Sequence, residues 1–211
     1  MCDRRRAHAP LAWAHANGLD VIVTDHHLPD EKEGAPPAVA VINPNQVGCP
    51  YPDKHLAGVG VAFKLAQALL EARGRGAVVP GFLKMVAIGT VADMAPLVGE
   101  NRTIVQLGLR DLPQATNHGL RALMEIAGCN SSVSATDIGF RIGPRINAAG
   151  RMDAARAVVE LFEAETIEEA RKIAEHLDRR NRERQESRRK LTERRHLPRG
   201  TTRRACRSRR Q

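Results

Sequence analysis

The stretch Leu19-Asp20-Val21-Ile22-Val23-Thr24-Asp25-His26-His27 places an acid and two imidazoles directly after a short apolar run. The run predicts a buried β-strand that ends at Thr24. In open α/β sheets, ligands bind in the crevice outside the carboxyl ends of the strands. Carboxylate and imidazole together suit a divalent ion of the Mn, Zn or Fe class. The alternative is that Asp25 caps a following helix and that both imidazoles are solvated.

The flanking segments place this strand in an α/β domain. Residues 38–42 predict a second buried strand, and residues 11–17 predict a short helix that Gly18 closes. Alternation of helices with strands favours a parallel sheet. Further helices are predicted over residues 58–73, 82–93, 101–112 and 119–127, from Ser134 onward, and from an N-cap at Thr166 to about Arg195. The expected fold is therefore α/β, with a parallel sheet flanked by helices and followed by a long connecting helix.

Basic charge is concentrated at the carboxyl end of the chain. The 211 residues have a formal net charge of +9, but residues 179–210 alone contain 15 Lys or Arg and 3 Asp or Glu. The other residues carry 18 basic and 21 acidic side chains, so the body is slightly acidic. The overall charge therefore does not indicate a nucleic-acid-binding core. Apolar residues fade after Leu177, so the second half of the long helix is expected to pack against little.

Composition also argues against a secreted or membrane protein. No stretch approaches the ~20 apolar residues that a spanning helix needs. The basic start of the chain is not followed by the apolar segment of a secretory signal. Four cysteines are scattered without a CxxC pair, at positions 2, 49, 129 and 206. Free thiols in a reducing cytoplasm are the expectation, and we predict a cytoplasmic protein.

A second acid stands at the end of an apolar element, in Gly89-Thr90-Val91-Ala92-Asp93-Met94-Ala95-Pro96-Leu97. The element is expected to reach the core, and a buried carboxylate there needs a charge, a metal or several hydrogen-bond donors. Asp93 is therefore a candidate metal ligand. The alternative is that it caps the turn that follows.

The third candidate is Arg141-Ile142-Gly143-Pro144-Arg145-Ile146-Asn147-Ala148-Ala149-Gly150-Arg151-Met152-Asp153, which interleaves arginines and an asparagine with glycines. Small residues permit close approach of the main chain, and Arg binds phosphate through two hydrogen bonds. The alternative is a tightly packed turn with surface ion pairs.

In combination, these segments resemble the DHH phosphoesterase superfamily and, within it, the RecJ-type single-strand-specific exonucleases. Asp25-His26-His27 matches the signature that names the superfamily, and Gly89 to Asp93 with Pro96-Leu97 and Gly99-Glu100-Asn101-Arg102 is similar to the next motif. The segment from Gly143 to Met152 resembles RecJ-type members rather than pyrophosphatases. Asn43-Pro44 and the stretch from Leu56 to Ala62 fit the same family, and the resemblance runs from about Leu11 to Leu191.

The resemblance implies metal-assisted hydrolysis of phosphodiester bonds, with two divalent ions, Mn or Mg, at the scissile phosphate. His26 and Asp93 would be metal ligands, and His27 would lie close to that phosphate. Asp25 would coordinate metal or orient an imidazole. Arg145, Asn147 and Arg151 would contact the nucleic acid. The family degrades single-stranded DNA from the 5′ end in recombination and repair.

The sequence also departs from the family. RecJ-like proteins carry two earlier Asp motifs on preceding strands, and neither is found before Asp25. We therefore expect an exposed sheet edge, weak metal binding and little or no hydrolysis. The interpretation is a gene fragment with a divergent N-terminus (1–10), a partial DHH domain (11–165), the start of the connecting helix (166–191) and a basic tail (192–211). The tail is expected to be disordered and to come from a shifted reading frame.

Two other functions stay open at this point. One is a different DHH phosphodiesterase that acts on oligonucleotides or cyclic dinucleotides, although the segment from Gly143 to Met152 argues against it. The other is a non-catalytic nucleic-acid binder that acts through its basic tail, since many Lys and Arg side chains give salt-dependent binding without sequence preference.

Overall fold

The computed structural model describes residues 8–29, 34, 36–129, 132–147 and 152–196. The elements are helix α1 (His8–Ala16), strands β1 (Ile22–Thr24) and β2 (Ala40–Ile42), and helices α2 (Gly58–Ala72), α3 (Leu83–Ala92), α4 (Gly99–Asp111), α5 (His118–Ala127), α6 (Ala135–Asp137), α7 (Gly143–Asn147), α8 (Met152–Glu163) and α9 (Ile167–His196). Two 3₁₀ segments (Gly76–Phe82 and Leu112–Gln114) and one π-helical segment (Ile138–Ile142) connect some of them. No described helix is long and apolar enough to cross a membrane.

The two strands form a parallel pair, which confirms the predicted α/β class. Ile22 is opposite Ala40 and Thr24 is opposite Ile42. Both strands are shorter than their apolar runs, and the prediction that the first strand is buried is wrong, because Ile22 is 57% exposed. Helix α2 is near β1, but the described part of the chain leaves the outer edge of β1 uncovered. The expected exposed edge is therefore present.

Helix α3 lies between two apolar clusters. Its residue Val86 packs with Val61 and Ile104 of α2 and α4, whereas Ile88 belongs to a larger cluster built on α5, α8 and α9. Close helix contact requires glycine at two positions. A Cβ at Gly108 would lie 2.4 Å from the Leu83 carbonyl oxygen, and one at Gly119 would lie 1.9 Å from that of Leu161.

The described part of the third candidate segment, residues 141–147 and 152–153, is helical rather than a turn. The helical stretch that leads into this segment begins at Ser134, as predicted, and the structure shows a capping box there: the main-chain N–H of Asp137 donates to the Ser134 hydroxyl, and that of Ser134 donates to the Asp137 carboxylate. The chain then passes through the π-helical segment into α7, which ends at Asn147. A π-helical turn often marks a functional region.

Helix α9 begins as expected, with the Thr166 hydroxyl accepting from the main-chain N–H of Glu169 at 3.2 Å. Ala170, Ala174 and Leu177 are fully or almost fully buried, whereas residues 182–190 are all exposed. The prediction that the second half packs against little is therefore confirmed. Cys49 and Cys129 are free thiols, while Cys2, Cys206 and residues 197–211 lie outside the described residues.

Candidate metal centre

The loop after β1 is organised by the Asp25 carboxylate. Its Oδ1 atom accepts from the main-chain N–H of His26 at 2.8 Å and of His27 at 3.2 Å. The same oxygen lies 2.6 Å from Nδ1 of His27. No helix follows within residues 26–29, so Asp25 holds a strand-end loop and orients one imidazole instead of capping a helix. The two imidazole rings are 4.3 Å apart between centroids and tilted by 49°.

Two asparagines after β2 hold this loop from the neighbouring strand. The Asn43 amide donates to the main-chain oxygen of His27 at 2.8 Å, and the Asn45 amide donates to that of His26 at 2.7 Å. Oδ1 of Asn43 also accepts from the main-chain N–H of Asn45 at 2.9 Å. The carboxyl ends of both parallel strands therefore meet at one place, as the ligand crevice of an α/β sheet requires.

Asp93 approaches the same place from the end of α3. Its Oδ2 atom lies 3.5 Å from Nε2 of His26. The expectation that Asp93 is buried is wrong, because half of its side chain is exposed. Within the described residues it accepts no hydrogen bond from the turn that follows it, so it does not cap that turn. A carboxylate at a helix C-terminus is opposed by the helix dipole, and a cation beside it offsets this.

The chemistry of His26 and Asp93 fits a shared divalent ion. Two ligands that each lie about 2.1 Å from one ion can be separated by at most about 4.2 Å, so the 3.5 Å gap is compatible with both atoms binding it. Among the described residues, no group of three or more His, Cys, Asp or Glu side chains could hold a metal ion. This part of the chain therefore offers two donors to an ion, and solvent or substrate would complete its coordination.

Two residues outside the predicted ligand set, Gly58 and Asn101, also lie at or near the site. Gly58, the first residue of α2, lies beside His26, where a Cβ would be 3.0 Å from Cδ2 of the ring. Asn101 on α4 is completely buried and bonds only to main chain. In the sequence, Asn101 could have been recognised as a polar residue on the buried face of α4, which it shares with Ile104, Val105 and Gly108.

The candidate nucleic-acid contacts lie away from these two donors in the sequence and are already partly engaged. Nε of Arg145 donates to Oδ1 of Asp178 at 2.9 Å, and the Asp178 side chain is only 4% exposed. Asn147 is exposed, and its main-chain oxygen accepts from Arg184 at 2.9 Å. Arg151 lies outside the described residues.

Comparison with known proteins agrees with this arrangement of strands and helices. Residues 1–90 match the DHH family, N-terminal domain. The single-stranded-DNA-specific exonuclease RecJ of Bacillus subtilis (strain 168) is 44% identical over 177 residues, which are 83% of this chain and 22% of that protein. The RecJ of Escherichia coli (strain K12) is 42% identical over 192 residues, 85% of this chain and 33% of that protein. The chain thus spans a third or less of these relatives.

Solved structures of RecJ proteins also match the fold of this chain. The structure of RecJ in complex with Mn²⁺ from Thermus thermophilus matches 92% of this chain and 28% of its own, with a TM-score of 0.77 and 36% identity. A crystal structure of exonuclease RecJ bound to manganese matches 85% of this chain and 45% of its own, with a TM-score of 0.75 and 38% identity. By its matched residues 1–90, its relatives and its fold, this chain contains sequence of the N-terminal domain of the DHH family.

Proposed function

We propose that the site serves metal-assisted hydrolysis of phosphodiester bonds in single-stranded DNA, as a 5′-to-3′ exonuclease of recombination and repair in the cytoplasm. The observation that carries the proposal is the meeting of His26 and Asp93 at the carboxyl end of the parallel strands, 3.5 Å apart. Support comes from relatives named as single-stranded-DNA-specific exonucleases and from a related structure bound to manganese.

In this proposal His26 and Asp93 hold a divalent ion, Mn²⁺ or Mg²⁺. Such an ion polarises the phosphate and lowers the pKa of bound water. Asp25 accepts from His27 and so orients its ring, which leaves Nε2 of His27 for the phosphate. The short Asp25–His27 contact favours the orienting role of Asp25 over direct coordination.

A second part of the proposal concerns the isolated chain. Two-metal phosphodiesterases clamp both the attacking and the leaving oxygen between two ions. Among the described residues, no group of three or more His, Cys, Asp or Glu side chains could hold an ion, and the proposed ligands are His26 and Asp93. We therefore expect the 211-residue chain to bind Mn²⁺ weakly and to hydrolyse DNA slowly or not at all by itself.

Arg145, Asn147 and Arg151 stay as proposed contacts to the DNA backbone. Asn147 is exposed and accessible to a strand. A phosphate contact by Arg145 would require its guanidinium to leave Asp178.

Metal binding tests the site directly. Titration of the full chain with Mn²⁺, followed by electron paramagnetic resonance, is expected to show binding that His26→Ala and Asp93→Asn each weaken. His15→Ala is the matched control, because His15 is an exposed imidazole on α1. Equal Mn²⁺ binding by the native chain and by His26→Ala would contradict the proposed ligand set.

A chimera tests the chemistry. The 177-residue segment of Bacillus subtilis RecJ that aligns with this chain would be replaced by the corresponding residues of this chain. The chimera is expected to degrade 5′-phosphorylated single-stranded DNA with Mn²⁺, and its His26→Ala variant is not. A folded chimera that prefers duplex DNA or cyclic dinucleotides would show that the proposed substrate is wrong.

A further inference from the structure

Asn101 is the polar residue of α4 that faces the core. Its side chain is completely buried. Oδ1 accepts from the main-chain N–H of Ala57 at 3.2 Å, and Nδ2 donates to the main-chain oxygens of His55 at 2.6 Å and Pro96 at 3.0 Å. The side chain thus bonds two main-chain segments that are distant in sequence. No residue with only donors or only acceptors could make all three bonds.

Each of the two segments that Asn101 joins is next to one of the two candidate ligands. His55 and Ala57 lead into Gly58, where an added Cβ would lie 3.0 Å from Cδ2 of the His26 ring. Pro96 lies three residues after Asp93, in the turn that leaves α3. Asn101 therefore ties the main chain beside His26 to the main chain after Asp93.

The turn after Asp93 is held on one side by α3 itself, because the main-chain N–H groups of Met94 and Ala95 donate to the main-chain oxygens of Val91 at 3.0 Å and Thr90 at 3.2 Å. Met94 has a φ of 55°, in the left-handed region, which is strained for a residue other than glycine. Strained main chain persists only where the surroundings hold it. The bond from Asn101 to Pro96 holds this turn from outside α3.

We infer that Asn101 is a positioning residue that sets the gap between Nε2 of His26 and Oδ2 of Asp93, and hence the affinity of this pair for a divalent ion. The inference rests on the proposed metal site. A residue that only stabilises the fold would affect Mn²⁺ affinity whether or not Asp93 is present. A positioning residue requires instead that the loss of Mn²⁺ affinity on substitution of Asn101 depends on Asp93.

The test is a double-mutant cycle on the full chain with Mn²⁺ as the probe. Asn101→Asp keeps the acceptor for Ala57 and removes both donors. Changes in residues that orient metal ligands typically lower metal affinity about 10- to 100-fold, and we expect about 10-fold here. In an Asp93→Asn background the same change should lower Mn²⁺ affinity less than about twofold, because coupled residues are not additive.

Asn117→Asp, at the exposed N-cap of α5, is the control for the same chemical change away from the candidate metal site. The Asn117 side chain also accepts from one main-chain N–H, that of Leu120, and donates to one main-chain oxygen, that of Phe162. The control is expected to leave Mn²⁺ affinity unchanged. If circular dichroism shows that Asn101→Asp does not fold, Asn101→Ser is measured in its place, since serine introduces no buried charge and is too short to reach both segments.

Each result decides the inference. A loss of affinity that depends on Asp93 supports it. An unchanged affinity, or an equal loss in both backgrounds, overturns it and leaves the metal site intact. If His26→Ala and Asp93→Asn also leave Mn²⁺ affinity unchanged, the metal site itself is wrong and the inference fails with it.

Discussion

Gly58 leaves no room for a side chain beneath the His26 ring, so the residue at this position helps to determine where a candidate ligand lies. A Cβ at Gly58 would be 3.0 Å from Cδ2 and 3.4 Å from Nε2 of His26. The ring would have to move by a few tenths of an ångström. Glycine is otherwise a poor choice at the start of a 15-residue helix, which indicates that space decides this position.

Gly58→Ala is therefore expected to weaken metal binding without lowering the free energy of unfolding. Displacement of His26 should weaken Mn²⁺ binding by about 10-fold. Alanine in the first turn of α2 should leave the free energy of unfolding unchanged or raise it by up to about 1 kcal/mol. Mn²⁺ titration and urea unfolding measure the two effects. Gly81→Ala is the control, because a Cβ there has no neighbour within 4 Å.

Arg145 has a structural partner that its sequence position does not reveal. It pairs with Asp178 of α9, whose second oxygen is paired with Arg182. A buried carboxylate that loses a cation is strongly destabilised. The Arg145 side chain thus connects α7 to α9.

Removal of this guanidinium should lower stability. Arg145→Ala is expected to reduce the free energy of unfolding by about 3 kcal/mol, the lower end for a broken buried pair, because Arg182 stays on Asp178. Urea unfolding measures the change. Arg156→Ala, which breaks an exposed pair with Glu160, should cost under about 1 kcal/mol. Equal effects of the two substitutions would contradict the structural role of Arg145.

At the scale of elements, the segment from Ser134 to Asn147 depends on its first turn. Hydrogen bonds from the Ser134 hydroxyl, from its main-chain N–H and from Arg141 lower the pKa of Asp137 to about 2. The folded state therefore binds a proton at Asp137 less readily than the unfolded chain, whose Asp pKa is about 3.9. The capping box contributes stability above about pH 4, and this contribution is lost as the pH falls towards about 2.

The capping box predicts a pH-dependent effect of Asp137→Asn. The urea midpoint of the variant should lie below that of the native chain at about pH 7, and the difference should shrink at about pH 2. Ser134→Ala, which removes the main donor, should raise the pKa of Asp137 as followed by NMR. A midpoint difference that is the same at both pH values would show that the carboxylate is not responsible.

For the whole molecule, the two-stranded sheet is covered only in part by the described residues. Parallel sheets are normally covered on both faces. Here large apolar side chains of α1, β1 and the residues beside them are exposed, at Trp13, Leu19, Ile22 and Val39. Uncovered strand edges and apolar patches promote association between chains.

Self-association of the purified chain is therefore expected to rise with concentration and to depend on this surface. Ile22→Lys should reduce it, because a lysine on an edge strand opposes strand pairing. Val47→Lys adds the same charge at a loop residue that is 98% exposed and off the sheet, and it should have little effect. Sedimentation velocity over a range of concentrations separates these outcomes, and equal behaviour of both variants would exclude the β1 edge as the cause.

Much of the fold could be predicted from local sequence. The bounds of α2, α3 and α5 follow from apolar spacing, and Gly18, Ser134 and Thr166 act where capping rules place them. The strands were predicted in the right places but too long and too buried. Apolar runs show which segments avoid water, but they do not show which distant elements pack on them.

The sequence by itself determined which chemical groups this site can use. Asp25, His26, His27 and Asp93 were identifiable because they end apolar elements, and the tertiary structure brings His26 and Asp93 within 3.5 Å. Only the tertiary structure decided which residues bond to the main chain beside His26 and after Asp93, and which carboxylate pairs with Arg145. The bonds of Asn101 and Arg145 join residues that are 44 and 33 positions apart, respectively. Such pairs have no periodicity along the chain, because packing of distant helices, and not local main-chain preference, brings them together.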